Sequence, residues 1–132
     1  VNPGDQLPTQ TYRVTRADLV RYAGASGDFN PIHWNDRTAR AVGLPGVIAH
    51  GMYTMALAAR ALVTWTGDAG SVIEYGVRFT KPVLVPDDDE GTEVTVTGLV
   101  KSVDDGVARV ELTVVSGGEK VLAQARAQLR IS

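Results

Sequence analysis

Asp28 and His33 stand five positions apart in Ser26-Gly27-Asp28-Phe29-Asn30-Pro31-Ile32-His33, on either side of an Asn-Pro step, in a chain with only two histidines. A carboxylate and an imidazole are a pair of proton-handling groups. Imidazole titrates near neutrality, and partial desolvation raises a carboxylate toward the same range. Proline disfavours the helical region for the residue before it, so the chain must turn at Asn30. A turn of this kind can bring both side chains to one pocket. Each residue also has a plain structural use: Asp28 in an Asx-turn, Asn30 as a turn former, His33 as a histidine hydrogen-bonded beneath a loop.

Other chemistries can be tested against spacing. A calcium loop beginning at Asp28 would have His33 where its sixth position needs glycine and Ala39 where its twelfth needs glutamate, which excludes it. Asp28, His33 and His50 are suitable zinc or iron ligands by type, but their spacing is not diagnostic and no metal is assigned. A serine nucleophile at Ser26 would sit in Gly24-Ala25-Ser26-Gly27-Asp28, which lacks the second glycine of a nucleophile elbow and follows no strand.

The elements that must position these groups are legible from caps and periodicity. Thr11 to Val14 reads as a short strand, and Thr15 with Asp18 as a capping-box variant opening a helix to about Ala25. Asn35 is the expected N-cap of a short helix to Val42, stopped by Gly43. The longest helical candidate runs from Gly51 to about Trp65, with Met52, Met55, Ala56, Ala59, Leu62 and Val63 at helical spacing and many alanines elsewhere, which suits deep burial. After Gly70 the period becomes two, around Ile73–Thr80, Val94–Val100, Val110–Val114 and Val121–Ile131. Turns at Pro86–Gly91, Asp104–Gly106 and Gly117-Gly118 join these four strands into an antiparallel sheet. Helices first and strands second predict an α+β domain spanning residues 1–132.

Composition narrows the function classes. Of the 132 residues 44% are hydrophobic, enough for one core, and thirteen basic residues against fifteen acidic ones lie scattered without a basic stripe. Nucleic-acid binding is not expected. The absence of cysteine rules out a disulfide framework, a thiolate zinc site and a cysteine nucleophile, and fits a cytoplasmic setting. The longest apolar run, near Met52–Trp65, is interrupted by Arg60, and neither a membrane span nor an export signal is expected. Asp87-Asp88-Asp89-Glu90 reads as a solvated turn, a poor docking surface for an acidic carrier protein.

Tyr22 through His33, followed by Ile48-Ala49-His50-Gly51-Met52, resembles the signature of the MaoC-like dehydratases and (R)-specific enoyl-CoA hydratases. Gly4-Asp5-Gln6-Leu7-Pro8 and Val77-Arg78-Phe79-Thr80-Lys81-Pro82-Val83 are similar to family features as well. Asn30–Trp34, Ile48–Met52 and Lys101–Asp104 look like the subfamily of catalytic beta subunits of mycobacterial (3R)-hydroxyacyl-ACP dehydratases. The resemblance implies the hot-dog fold, a curved antiparallel sheet wrapped around one long central helix. It also implies reversible addition of water across a trans-2-enoyl thioester carried by coenzyme A or acyl carrier protein (ACP), giving a (3R)-hydroxyacyl thioester. By the same likeness Asp28 and His33 hold the reacting water, Asn30 orients them, and the Gly51 amide at the helix N-terminus serves the thioester oxyanion. His50 is read as shaping the loop. No cofactor is implied.

Two rivals remain open on the sequence. One is a hot-dog thioesterase, which shares the fold and substrates but releases free thiol. The other is a non-catalytic partner subunit, against which the presence of both Asp28 and His33 argues. A single unit of this size leaves sheet edge and helix surface to cover, so a homodimer, or a heterodimer with a related hot-dog subunit, is expected, with the acyl pocket at the interface.

Overall fold

A computed structural model describes residues 1–131. In chain order these form β1 (Gln6–Val14), α1 (Arg16–Ser26), a 3-10 turn (Pro31–His33), α2 (Asp36–Ala41), α3 (Gly51–Thr66), a second 3-10 turn (Ala69–Ser71), β2 (Val72–Phe79), β3 (Thr92–Asp104), β4 (Val107–Ser116) and β5 (Glu119–Arg130). The caps expected from sequence are present. Thr15 and Asp18 close a reciprocal capping box, and the Asn35 side chain accepts the Thr38 N–H. Gly27 ends α1 in the left-handed region at φ 78°, where a residue with a Cβ would be strained.

All strand pairs are antiparallel, in the order β1-β3-β4-β5-β2. The sheet therefore has five strands where periodicity shows four, because β1 extends back to Gln6 and pairs with β3. The hairpins β3-β4 and β4-β5 fall at the expected turns. β2, however, pairs with β5 across the sheet and not with its sequence neighbour β3. In β5 a bulge interrupts the alternation expected from Val121 onward: Gln124 has φ 47°, Leu122 joins Val121 in the core, and the inward pattern resumes at Ala125, Ala127 and Leu129.

The sheet curls around α3. Leu57, Ala58, Ala61 and Leu62 of the helix share one buried cluster with Val94, Val96, Val110, Val114, Ala125 and Ala127 of the strands. Alanine on both sides allows the close approach that the small residues of α3 and β5 suggest. The buried stripe of α3 is not the one expected from spacing, since Thr54, Leu57, Ala58, Ala61 and Leu62 face inward. Met52 is 59% exposed and Ala56 is exposed. A helix with apolar residues on more than one face does not reveal by pattern which side meets its own sheet. One long helix embraced by a curved antiparallel sheet is the hot-dog arrangement. Among the described residues no helix is long and apolar enough to cross a membrane.

Candidate active site

The turn between α1 and α2 brings Asp28 and His33 together. The Asp28 N–H donates to Ser26 Oγ (3.2 Å), and Asp28 Oδ1 accepts the Asn30 N–H (3.1 Å). Asn30 Oδ1 accepts the Ile32 N–H (3.1 Å) and so caps the 3-10 turn, with Pro31 as its first residue. Asn30 thus orients the carboxylate through its backbone, while its side chain starts the turn that carries His33. The Trp34 indole N–H donates to the Phe29 carbonyl (2.9 Å) and closes the loop. Ser26, its hydroxyl committed to the Asp28 amide, gives no support to the nucleophile reading.

His33 is buried, and its Nδ1 lies 2.7 Å from the Ile48 carbonyl oxygen. A carbonyl only accepts, so Nδ1 carries the proton of the neutral ring and the lone pair is at Nε2. That nitrogen is 4.0 Å from Asp28 Oδ2. The separation is too long for a direct hydrogen bond and suits one water donating to both acceptors. The Asp28 side chain is 52% exposed, so this chain alone does not supply the desolvation expected of a proton-handling carboxylate.

The segment after α2 is clamped on both sides. The Ile48 N–H donates to the Ile32 carbonyl, Ala49 N–H to Val83, and Val85 N–H to Val47, with an isolated bridge between Ile48 and Leu84. Asp36 anchors the clamp. It accepts from the Val47 N–H (3.0 Å) and from Arg16 on both oxygens (2.9 and 3.1 Å), and Arg16 also donates to the Val85 carbonyl. The Val47 N–H first, and then Arg16, hold the Asp36 carboxyl below the ordinary carboxylate range against the opposing effect of burial. Asp36→Ala orphans the fully buried Val47 amide and unpairs Arg16. A loss of about 2 to 4 kcal/mol and a Tm lower by roughly 10 °C are expected by thermal melting. Because the folded pKa is the lower one, the carboxylate's contribution is present above the unfolded value of about 3.9. It is lost as pH falls through the folded value, so the wild-type advantage over the variant shrinks in acid.

At the end of that segment α3 begins. Its N-cap, His50, makes no side-chain capping bond, and the first helical amides, of Gly51 and Met52, have no hydrogen-bond partner among the described residues. Unspent N–H groups at the positive end of a 16-residue helix attract developing negative charge. A Cβ on Gly51 would lie 3.1 Å from the Phe79 ring, so glycine here admits close packing by Phe79. His33, Gly51, Thr54 and Phe79 line a cleft of about 260 Å³, walled also by Lys81–Val83 and Leu122. Thr54, one turn after Gly51, was not singled out by sequence. Its signal was a polar residue on the helix face that carries Gly51.

His50 comes closer than sequence suggests. Candidate ligand atoms of Asp28, His33 and His50 all lie within 4.8 Å of one another. However, His33 Nδ1 and His50 Nε2 are both spent as donors to carbonyls, and His50 Nδ1 is fully buried. Elemental analysis of the purified protein is expected to find less than stoichiometric zinc or iron, with chelator leaving activity unchanged.

Known proteins resemble this chain in sequence and in fold. A family model described as "MaoC like domain" matches residues 1–118. "3-hydroxyacyl-thioester dehydratase X" of Mycobacterium tuberculosis is 39% identical over 102 residues, covering 71% of this chain and 35% of that protein. The "(R)-specific enoyl-CoA hydratase" of Rhodospirillum rubrum is 34% identical over 88 residues, covering 66% of this chain and 60% of that one. A solved structure named "MaoC-like dehydratase" superposes with a TM-score of 0.96 at 42% identity, covering 100% of this chain and 41% of its own. The chain thus spans less than half of dehydratase X and of that solved structure.

Proposed function

The chain belongs to the MaoC-like domain family, and from that premise we propose that it is a hydro-lyase interconverting trans-2-enoyl and (3R)-hydroxyacyl thioesters of coenzyme A or ACP. The observation that carries the proposal is the 4.0 Å gap between His33 Nε2 and Asp28 Oδ2, with His33 lining the same cleft as Gly51. A water held by the two acceptors attacks C3 of the enoyl group and gives up a proton to the dyad. The π electrons move through C2 to the thioester oxygen, whose charge is met by the Gly51 N–H. The enolate then collapses and C2 takes a proton from the dyad. One water has added across one double bond without oxidation or reduction, so no flavin or nicotinamide is required. The half-exposed Asp28 is desolvated by the bound substrate. Asn30 serves as an orienting residue through its amide.

A second hot-dog subunit, identical or related, is part of the proposal. Met52 on α3 and Phe79 on β2 are 59% and 51% exposed beside the cleft, and β2 is an edge strand. Covering them closes the cleft and gives the acyl chain an apolar wall. A dimer by light scattering is expected, and a stable, active monomer would count against the interface. A cytoplasmic location completes the reading. The direct test follows enoyl-thioester absorbance together with free thiol. Loss of absorbance without thiol is expected, and loss of absorbance matched by released thiol would instead identify a thioesterase.

A further inference from the structure

His50 is 2% exposed, and the reaction just described does not use it. Its Nε2 lies 3.1 Å from the Asp28 carbonyl oxygen, so that nitrogen carries the proton. Its Nδ1 is buried with no hydrogen-bond partner. The ring lies on the imidazole of His33 with centroids 3.8 Å apart and planes at 21°, and Tyr22 packs edge-on at 4.8 Å. One side chain therefore touches the backbone of Asp28 and the ring of His33, and its own backbone leads into Gly51. Packing alone does not call for an imidazole. A phenyl ring would fill the same space without leaving a buried nitrogen unpaired, so what histidine adds is the N–H to Asp28.

We propose that His50 is a positioning residue. As a neutral Nε2–H imidazole it holds Asp28 by its carbonyl and His33 by its ring, at the separation where the pair shares one water, without touching the substrate. The inference rests on the hydration reading. Burial is the chief reason His50 stays below the ordinary histidine range; the contact with Asp28 opposes it and the nearby His33 adds to it. A neutral neighbour leaves His33 able to take a proton from water, whereas a charged ring stacked on it would oppose this.

The test compares His50→Gln, which keeps an N–H donor and a planar face, with His50→Phe, which keeps the face and loses the donor. With enoyl-CoA as substrate, kcat is expected to stay within about fivefold of wild type for Gln and to fall more than about 30-fold for Phe. KM should stay within about threefold in both, because the Gly51 donor and cleft wall are untouched. A Phe variant as active as wild type, or a loss confined to KM, overturns the proposal. Nitrogen-resolved NMR of the wild-type protein gives an independent reading that does not depend on how the variants fold. At neutral pH His50 should be uncharged with its proton on Nε2, facing the Asp28 carbonyl and packed against His33 and Tyr22. An imidazolium or an Nδ1–H tautomer overturns the proposal. The two failures separate: a wild type that hydrates no enoyl thioester sinks the functional reading, while an active wild type with an equally active Phe variant sinks only the role of His50.

Discussion

Asp28→Asn and His33→Gln are each expected to lower kcat/KM for enoyl-thioester hydration by at least about 10²-fold, with little change in Tm. The Asn30 N–H fixes which atom of the carboxylate does what: Oδ1 is tied down, and Oδ2 faces His33. An asparagine placed there keeps its carbonyl oxygen on the Asn30 amide and turns its NH₂ toward the water. The shape is preserved but the polarity at the reacting position is inverted, a donor standing where an acceptor is needed. Glutamine at position 33 can still donate to the Ile48 carbonyl, yet its amide accepts a hydrogen bond without accepting a proton. A 10²-fold loss corresponds to about 2.7 kcal/mol of transition-state stabilisation. Asp28 is half exposed, so its neutral replacement should cost little stability. Absorbance kinetics beside thermal melts would check this, and well-folded variants with wild-type rates would refute the dyad.

The parts of this site that depend on neighbours along the chain could be read from sequence. The Thr15–Asp18 box and the Asn35 cap involve residues three apart, and their residue types report the hydrogen bonds directly. The Asn30-Pro31 break was legible for the same reason. Contacts that cross the fold were not. The inward face of α3 was hidden because Met52, Met55, Ala56, Ala59 and Val63, away from that face, are apolar as well. The β2-β5 pairing joins residues about fifty positions apart, and nothing in either strand's alternation names its partner. For His50 the sequence suggests only that it shapes the loop. Its role depends on a carbonyl 22 residues earlier and on a ring stack, and neither leaves a mark in residue spacing.

Gly51→Pro is expected to lower kcat/KM about 10²- to 10³-fold relative to Gly51→Ala while α3 stays folded. The substitution removes one N–H from a place where the helix has no use for it. Gly51 is the first helical residue, the position where proline is best tolerated because that amide has no intrahelical acceptor. His50 before it already has φ −59° and ψ 132°, within the region a following proline permits. Alanine is the necessary control, because either substitution adds a Cβ that would stand 3.1 Å from the Phe79 ring and oblige it to move. Phe79 is half exposed and can give way, so alanine alone should cost less than about tenfold. Subtracting that leaves the amide. Its effect should fall mainly on kcat, since the oxyanion exists only once water has begun to add and the ground-state carbonyl gains less from the donor. Equal rates for the proline and alanine variants would mean that the charge is met elsewhere, with the adjacent Met52 amide the next donor in line on the same helix end.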